Sequence, residues 1–388
     1  TTTARTSRRS LLKTTAAMAG AAGLGLAQWR QALAATVVGA GPYGPLGEPD
    51  ANGVRLPAGF SARLLARSGE RVAGTDYLWH FQPDGGATFA MPDDGWVYAC
   101  NAELNGTAGG AGAIRFDRDG RIVAAYPILA GTKYNCAGGA TPWGTWLSCE
   151  EFRNGRVWEC NPSRPGQGVV RPALGVFAHE AAVVDPASGI VYLTEDDDTS
   201  RLYRFLPTRA GDLSAGRLEA AAVGAGGGVS WIEASPKQPY RGAGSAAFAR
   251  GEGAWFSRGV LYFCTTSDHR VWALDVARSR IEVVYDAALV GAGAPLREPD
   301  NVTVHPDSGD IFVCEDDDNL ECVLLAATRG GDLVAAPFLQ FVGHAGSEAA
   351  GAAFSPDGSR LYISSQRGIG RKYDSPGMTF EVNGPFRR

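Results

Sequence analysis

The chain contains 388 residues, of which 45% are hydrophobic and 20% are charged, and its formal net charge is −5. An acidic balance of this kind argues against nucleic acid and anionic lipid as binding partners. The chain has 52 glycines and 22 prolines, and no long amphipathic helical pattern follows residue 35, which together favour an all-β domain with many tight turns.

Residues 1–35 have the features of an export signal rather than of a folded domain. The pair Arg8-Arg9 stands before a Gly- and Ala-rich apolar stretch, and residues 32–34 offer a small-residue cleavage site, which matches a twin-arginine signal. The stretch is too short to span a bilayer, so we expect no stable membrane anchor. We predict export by the twin-arginine translocase to the periplasm or beyond the cell, which leaves residues 36–388 as the mature domain.

A literal Gly-x-Gly-x-x-Gly motif occupies residues 39–44. The dinucleotide-binding fingerprint requires a helix that begins within the motif. Pro42, Pro45 and Pro49 prevent such a helix. We therefore expect an extended segment that leads into the domain, and no dinucleotide site.

A glycine followed six residues later by a polar, mostly acidic residue recurs six times along the chain. The intervening residues favour strands, and the glycines lie 49, 45, 70, 50 and 49 residues apart, as in propeller repeats. The six segments are Gly95–Asn101, Gly144–Glu150, Gly189–Glu195, Gly259–Thr265, Gly309–Glu315 and Gly358–Ser364. Each predicts a tight turn, a strand, and a polar residue where the strand ends.

The residues before these turns also favour strands, so each repeat is predicted to be a β-hairpin. The start of the first strand and the end of the second lie at the same end of an antiparallel hairpin. Glu180 should therefore lie near Glu195, and Asp300 should lie near Glu315. Six such hairpins arranged radially predict a six-bladed β-propeller with a metal site at one end of its central axis.

Eight carboxylates share the blade ends in this arrangement. They are Glu103, Glu150, Glu180, Glu195, Glu252, Asp300, Glu315 and Glu348. So many like charges around one axis would repel each other unless cations neutralise them. Ca²⁺ accepts six to eight oxygen ligands in irregular geometry, so the sequence predicts calcium in a structural or a catalytic role.

Several familiar catalytic motifs are missing from the sequence. The acidic runs 196–198 and 316–318 lack the ligand spacing of an EF-hand, and their outer members are expected to be solvated loop residues. The five histidines form no His-x-His or His-Glu-x-x-His pair, which argues against a His-built zinc site. No Gly-x-Ser-x-Gly elbow is present, which argues against the usual serine hydrolases.

The seven cysteines fall into two classes. Four of them lie at the same repeat position, five residues after a turn glycine, and are expected to be small buried strand residues: Cys100, Cys149, Cys264 and Cys314. Cys136, Cys160 and Cys322 lie elsewhere, and a loop disulfide among these three is left open.

Five segments, in this order, resemble the signature segments of the PhoX-type alkaline phosphatases. They are Thr141–Glu151, Phe177–Glu180, Arg250–Gly253, Asp300–Val304 and Ser347–Gly351. The most specific is the first, TPWGTWLSCEE. The resemblance implies an exported six-bladed propeller that hydrolyses phosphate monoesters of small molecules, with two ferric ions (Fe³⁺) and several Ca²⁺ ions around a bridging oxo group on the axis.

The resemblance also implies roles for individual residues. Cys149 would be the thiolate ligand of iron, and Arg250 would contact phosphate. Glu180 and Glu252 would bind metal through their carboxylates. Together with the acidic blade ends, the expected metal ligands are Asn101, Glu103, Cys149, Glu150, Glu180, Glu195, Glu252, Asp300, Glu315 and Glu348.

Some alternatives stay open at this stage. Cys149 and Glu150 are consecutive in a strand and should point to opposite faces, so both reach the metals only if the strand end bends. The phosphate-holding lysine of the family could be Lys133, Lys237 or Lys372. The other possible functions are a calcium-bound propeller lactonase or phosphodiesterase and a non-catalytic binding propeller. A monomer is expected in each case, and the preferred phosphoester is not indicated.

Overall fold

The computed structural model describes residues 37–316, 319–327, 333–370 and 375–388. The predicted export signal and Lys372 lie outside these ranges, as do Asp317 and Asp318 of the second acidic run. No helix within the described part of the chain is long and apolar enough to cross a membrane.

Three short strands precede the repeats: β1 (Val37–Val38), β2 (Val54–Arg55) and β3 (Ser61–Arg67). The first sheet contains β4 (Pro83–Ala90), β5 (Trp96–Ala102), β6 (Gly109–Phe116) and β7 (Ile122–Thr132). The second contains β8 (Asn135–Ala140), β9 (Trp146–Glu150), β10 (Val157–Cys160) and β11 (Val169–Val170). The third contains β12 (His179–Val184), β13 (Val191–Glu195), β14 (Tyr203–Arg209), β15 (Asp212–Val223) and β16 (Val229–Ala234).

The fourth sheet contains β17 (Gly251–Ser257), β18 (Val260–Thr265), β19 (Arg270–Asp275) and β20 (Arg280–Asp286). The fifth contains β21 (Pro299–Val304), β22 (Ile311–Glu315), β23 (Glu321–Ala327) and β24 (Leu333–Phe341), with β1 and β2 paired to β24. The sixth contains β25 (Ala349–Phe354), β26 (Arg360–Ser365), β27 (Met378–Asn383) and β3. Two single turns of helix, Pro172–Leu174 (3₁₀) and α1 (Ala287–Val290), complete the elements.

These six sheets, antiparallel except where β1 pairs with β24, are the blades of a six-bladed propeller, which confirms the predicted fold class. Each predicted turn glycine precedes the second strand of a blade. Five of these glycines have a positive φ, for example 82° at Gly144, whereas in the first blade Asp94 takes that conformation with φ of 63°. The ring closes because β3, from the start of the chain, pairs antiparallel with β27 in the last blade.

The core consists of hydrophobic clusters that lie between and within neighbouring blades. The second strands β5, β9, β13 and β22 are buried along their whole lengths because both faces of a blade are covered. All seven cysteines are buried and free, so no disulfide forms among Cys136, Cys160 and Cys322. Cys322 lies in the fifth blade opposite Cys314, whereas Cys136 and Cys160 lie on the first and third strands of the second blade.

The first strands of the blades, β4, β8, β12, β17, β21 and β25, surround the axis and approach one another closely through glycines. A Cβ atom on Gly139 would lie 2.1 Å from the carbonyl oxygen of Ala182, and one on Gly351 would lie 2.3 Å from the carbonyl oxygen of Asp84. Larger side chains would push the blades apart. The glycines therefore bring the ends of the inner strands together around one narrow axis.

Candidate metal centre

The second residue of five inner strands is a carboxylic acid or a cysteine. These residues are Asp84, Cys136, Glu180, Glu252 and Asp300. In every one of the five strands the pairing register shifts immediately afterwards, for example between His179 and Ala182 in β12. A β-bulge redirects a side chain that regular alternation would place elsewhere. The repeated bulge therefore gives the five side chains a common direction at one end of the propeller.

Three groups of side chains that could hold a metal ion result, and we call them the axial groups. Within each group the ligand atoms lie within 4.8 Å of one another. The groups are Cys136, Glu151 and Glu180; Glu180, Glu252 and Asp300; and Asp84, Glu103 and Glu348. The first two share Glu180, so they form one continuous cluster across the second, third, fourth and fifth blades.

The Glu180 carboxylate is fully buried, and neither of its oxygens has a hydrogen-bond partner among the described residues. Burial raises the pKa of Glu180 well above its usual range, and the nearby Glu151, Asp300 and Glu252 raise it further. An ionised carboxylate that is buried without donors costs several kcal/mol of stability, so it must be protonated or neutralised by a cation. The residues present therefore suit a bound cation.

The third axial group is organised around an amide. Nε2 of Gln366 donates to Asp84 Oδ2 at 2.6 Å, to Glu103 Oε2 at 2.9 Å, and to Glu348 Oε1. An amide nitrogen has two hydrogens and cannot satisfy three carboxylates. Burial raises the pKa of Glu103 well above its usual range, and Glu348 and Asp84 add to this effect. A second cation would compensate this excess of negative charge.

The structure does not bring Glu150, Glu195 and Glu315 into the axial groups, and we call these three the outer carboxylates. Each is the last residue of a second strand and receives donors away from the axis. Glu150 accepts from the backbone N–H groups of Lys133 and Arg156 at 3.1 and 3.2 Å. Glu195 accepts two bonds from Arg241, at 2.7 and 3.0 Å.

The residue after each outer carboxylate lies at the axial end instead. These residues are Glu151, Asp196 and Asp316. Glu151 belongs to an axial group. Burial raises the pKa of Glu252 well above its usual range, and Asp196 raises it further. The pKa of Asp316 is raised to about 7 by burial and by Glu348. The sequence predicted that the last residue of each second strand would face the axis. Successive side chains in a strand point to opposite sides, and in the structure the following residue faces the axis instead.

Asn101 and Cys149 also lie outside the axial groups. The Asn101 amide links the first two blades: Nδ2 donates to the carbonyl oxygens of Cys136 and Ala137, and Oδ1 accepts from Trp146 and Ser148. Cys149 is fully buried in an apolar cluster between the second and third blades. The cysteine beside carboxylates is Cys136, which occupies the same strand position as Glu180.

Two arginines approach the axial groups from the loops. Arg250 makes a two-pronged contact with Asp196, at 3.0 and 3.1 Å, and lies 3.1 Å from Glu252. Its φ of 52° is unusual for a residue other than glycine, a strain often found at functional positions. Arg367, which the sequence reasoning missed, contacts Glu348 at 3.2 Å. Both guanidinium groups act on the pKa of Asp316, so both lie near it.

The lysines differ in position. Lys133 is half-buried, and its ammonium group lies 4.9 Å from the ring centre of Phe152 and 5.0 Å from that of Tyr134. Tyr134 accepts a hydrogen bond from the backbone of Glu151, so Lys133 lies beside an axial group. Lys237 lies exposed in the loop between β16 and β17.

Comparisons with known proteins identify a phosphatase family and related propeller folds. The family model described as alkaline phosphatase PhoX matches residues 97–159 and 153–285. PhoX of Pseudomonas fluorescens, solved with the transition-state analogue vanadate, is 16% identical with a TM-score of 0.69, over 88% of this chain and 97% of that one. The gluconolactonase XC5397 of Xanthomonas campestris is 15% identical with a TM-score of 0.52, over 89% of this chain and 99% of that one. No curated protein matches significantly.

Proposed function

Because the chain belongs to the PhoX alkaline phosphatase family and is therefore a hydrolase, we propose that it hydrolyses phosphate monoesters at the axial groups. The observation that carries this proposal is Glu180, a fully buried carboxylate that is shared by two axial groups and has no donor among the described residues. Such a residue costs stability unless a cation is bound, and phosphoryl transfer uses cations to neutralise charge.

The residues of the axial groups suit two kinds of metal. The carboxylates offer the oxygen ligands that Ca²⁺ prefers. The Cys136 thiol among carboxylates offers the mixed sulfur and oxygen set that iron accepts. We therefore propose Cys136, Glu151, Glu180, Glu252 and Asp300 as the main ligands of Fe³⁺ and Ca²⁺, with Asp84, Glu103 and Glu348 as a further Ca²⁺ site. When bound, these cations supply positive charge that polarises the phosphoryl group.

Three side chains of the protein are proposed to hold the phosphoryl oxygens. Arg250 and Arg367 approach from different blades, and their guanidinium groups can form two parallel hydrogen bonds to a phosphate. Asp196 orients Arg250 through its two-pronged contact. Lys133 would add a third positive charge beside Glu151. These groups stabilise the negative charge that grows on the equatorial oxygens in the transition state.

We further propose that the protein is exported through its twin-arginine signal and functions as a monomer in the periplasm or outside the cell. Export in the folded state would allow the metals to be inserted before translocation. The test replaces Arg8 and Arg9 by lysine in the native host, and the mature protein should then remain in the cytoplasm. Mature protein still found outside the cytoplasm would contradict this route.

The proposed activity is tested on protein exported by its native host, so that metal loading is complete. The metal content is measured, and hydrolysis of 4-nitrophenyl phosphate is compared with hydrolysis of a bis(4-nitrophenyl) phosphate diester and of an aldonolactone. We expect the monoester to be the best substrate and chelation to abolish its turnover. A metal-loaded protein that prefers the lactone or the diester, or that turns over none of the three, would contradict the proposal.

A further inference from the structure

A cleft of about 840 Å³ opens beside the axial groups, between the end of β13 and the loop that joins β16 to β17. Ala178 and Asp196 form part of its wall. Ala178 precedes Glu180 by two residues, and Asp196 holds the phosphate-binding Arg250. A phosphoryl group held by the axial groups would therefore have its ester oxygen close to this cleft. The volume exceeds that of a phosphate and is in the range of small-molecule pockets, about 300–1,000 Å³.

The outer wall of the cleft is fixed by an ion pair between a buried carboxylate and an exposed arginine. Arg241, from the loop between β16 and β17, contacts the outer carboxylate Glu195, which is only 1% exposed, at 2.7 Å. The Tyr203 hydroxyl donates to Glu195 at 3.0 Å and accepts from the backbone N–H of Tyr240, also at 3.0 Å. This network holds the loop against the third blade, so the cleft is formed before any ligand arrives. A preformed pocket binds with a smaller loss of conformational entropy.

The charges that line the cleft are largely paired with one another. Arg241 neutralises Glu195 and lies 3.2 Å from Asp197, while Asp196 is paired with Arg250. Two polar side chains stand apart from this network: Gln238 and Arg153 line the cleft, are exposed, and form no hydrogen bond or ion pair with the rest of the described chain. The cleft therefore presents both donors and acceptors with little net charge.

We propose that this cleft binds the leaving group of the substrate and that the leaving group is polyhydroxylated, of the sugar type. The inference rests on the proposed phosphatase function. An anionic leaving group would be repelled by three carboxylates, and a cationic one by two guanidinium groups. An apolar leaving group would remove water from these charged groups without replacing its hydrogen bonds, which costs binding free energy. A hydroxyl both donates and accepts, so several hydroxyls can satisfy Gln238, Arg153 and the carboxylates together. The half-buried ring of Tyr240 supplies an apolar face for the sugar ring.

The test compares two primary alkyl esters, glucose 6-phosphate and ethyl phosphate, whose leaving oxygens are chemically alike. In the metal-loaded wild type, kcat/KM should be at least about tenfold higher for glucose 6-phosphate, since one or two net hydrogen bonds give that factor. The double variant Gln238→Ala/Arg153→Ala should lower this ratio about tenfold. Glu233→Gln, an exposed change on β16 outside the cleft, should leave the ratio at its wild-type value.

Equal kcat/KM values for the two esters in the wild type, or the same ratio in the double variant, would overturn the sugar-type leaving group. Failure of the phosphatase proposal gives a different result, because neither ester would then be hydrolysed. In that case calorimetric titration of glucose 6-phosphate and ethyl phosphate measures the cleft directly. Tighter binding of glucose 6-phosphate that the double variant removes would support the cleft, and equal affinities would contradict it.

Discussion

Two sets of carboxylates, the axial and the outer, lie at the same end of the propeller, and their surroundings differ. The outer carboxylate Glu195 receives the guanidinium of Arg241 and the hydroxyl of Tyr203. The axial Glu180, in the same blade, is equally buried and receives no donor from the described chain. Residue type and burial are therefore the same, and only the direction relative to the axis differs. The outer set holds loops against blades, whereas the axial set is left available for cations.

The largest expected difference is between Glu180→Gln and Glu195→Gln. The first removes a proposed ligand of two axial groups, so we expect kcat/KM for an aryl phosphate to fall by about 10³-fold or more. The metal-free form of Glu180→Gln should be at least as stable as the metal-free wild type, because the substitution removes a buried carboxylate that has no partner. The second breaks the ion pair with the exposed Arg241, so the free energy of unfolding should fall by about 1.5–3 kcal/mol, the range for hydrogen bonds to charged groups, while turnover changes less. Kinetics and chemical denaturation distinguish the two, and equal kinetic losses would contradict the division into two sets.

The second comparison replaces one cysteine in an axial group, Cys136, and one in an apolar cluster between blades, Cys149. Cys136→Ser should lower turnover by about 10²- to 10³-fold and remove any visible thiolate-to-iron absorption, because Cys136 lies with Glu151 and Glu180. Cys149→Ser places a hydroxyl in an apolar cluster and should cost about 1–3 kcal/mol of stability, with turnover per folded molecule retained. Absorption spectra with thermal unfolding provide the measurement. Loss of the absorption in Cys149→Ser but not in Cys136→Ser would show that Cys149, and not Cys136, binds the iron.

A third prediction separates metal binding from phosphate binding. Arg250→Ala and Arg367→Ala remove charges that face the substrate but are not proposed ligands, so each should lower kcat by about 10²-fold while the metals stay bound. Arg121→Ala serves as the control, because this side chain is 77% exposed and pairs with Asp119, which is not part of the axial groups. Metal analysis and steady-state kinetics on the same samples decide the result. Full turnover in both arginine variants would place the phosphate elsewhere.

The architecture could be predicted from the sequence because the turn glycines mark the positions of the hairpins. Gly95 to Gly358 marked the second strand of all six blades, and the start of each first strand lies beside the end of the second, as in the pairing of His179 with Glu195. The site was harder to predict. Glu180, Glu252 and Asp300 were expected near the axis, and the structure groups them there, because they lie at the start of their strands at similar distances from the turn.

Cys136 and Glu151 were missed for a physical reason. A β-bulge inserts a residue into the inner strand and reverses which neighbour faces the axis, and nothing in a single sequence marks its position. Glu150, Glu195 and Glu315, which end the second strands, were expected at the centre and lie outside the axial groups because successive side chains point to opposite sides and the next residue, such as Glu151, faces the axis. Arg367 was missed because it follows the last repeat without a motif of its own.

The smallest predicted effect concerns acid stability away from the axis. His305 accepts backbone N–H bonds at Nδ1 and donates from Nε2 to Gly358, so it must be neutral in the fold, and burial lowers its pKa. Its contribution to stability is complete above the ordinary histidine pKa of about 6.5 and is lost as the pH falls below that value. His305→Gln should therefore reduce the acid dependence of unfolding by at most about 1.4 kcal/mol per pH unit. Identical pH profiles of the two proteins would contradict this assignment.

The most direct test of the central claim is anomalous diffraction from crystals of the exported protein, measured at the iron edge and at a wavelength sensitive to calcium. We expect cation peaks within about 2.0–2.6 Å of the Glu180 oxygens, with iron beside the Cys136 sulfur and calcium among Asp84, Glu103 and Glu348. Peaks at Glu150, Glu195 or Glu315, or a fully loaded protein whose cations lie away from Glu180, would contradict it.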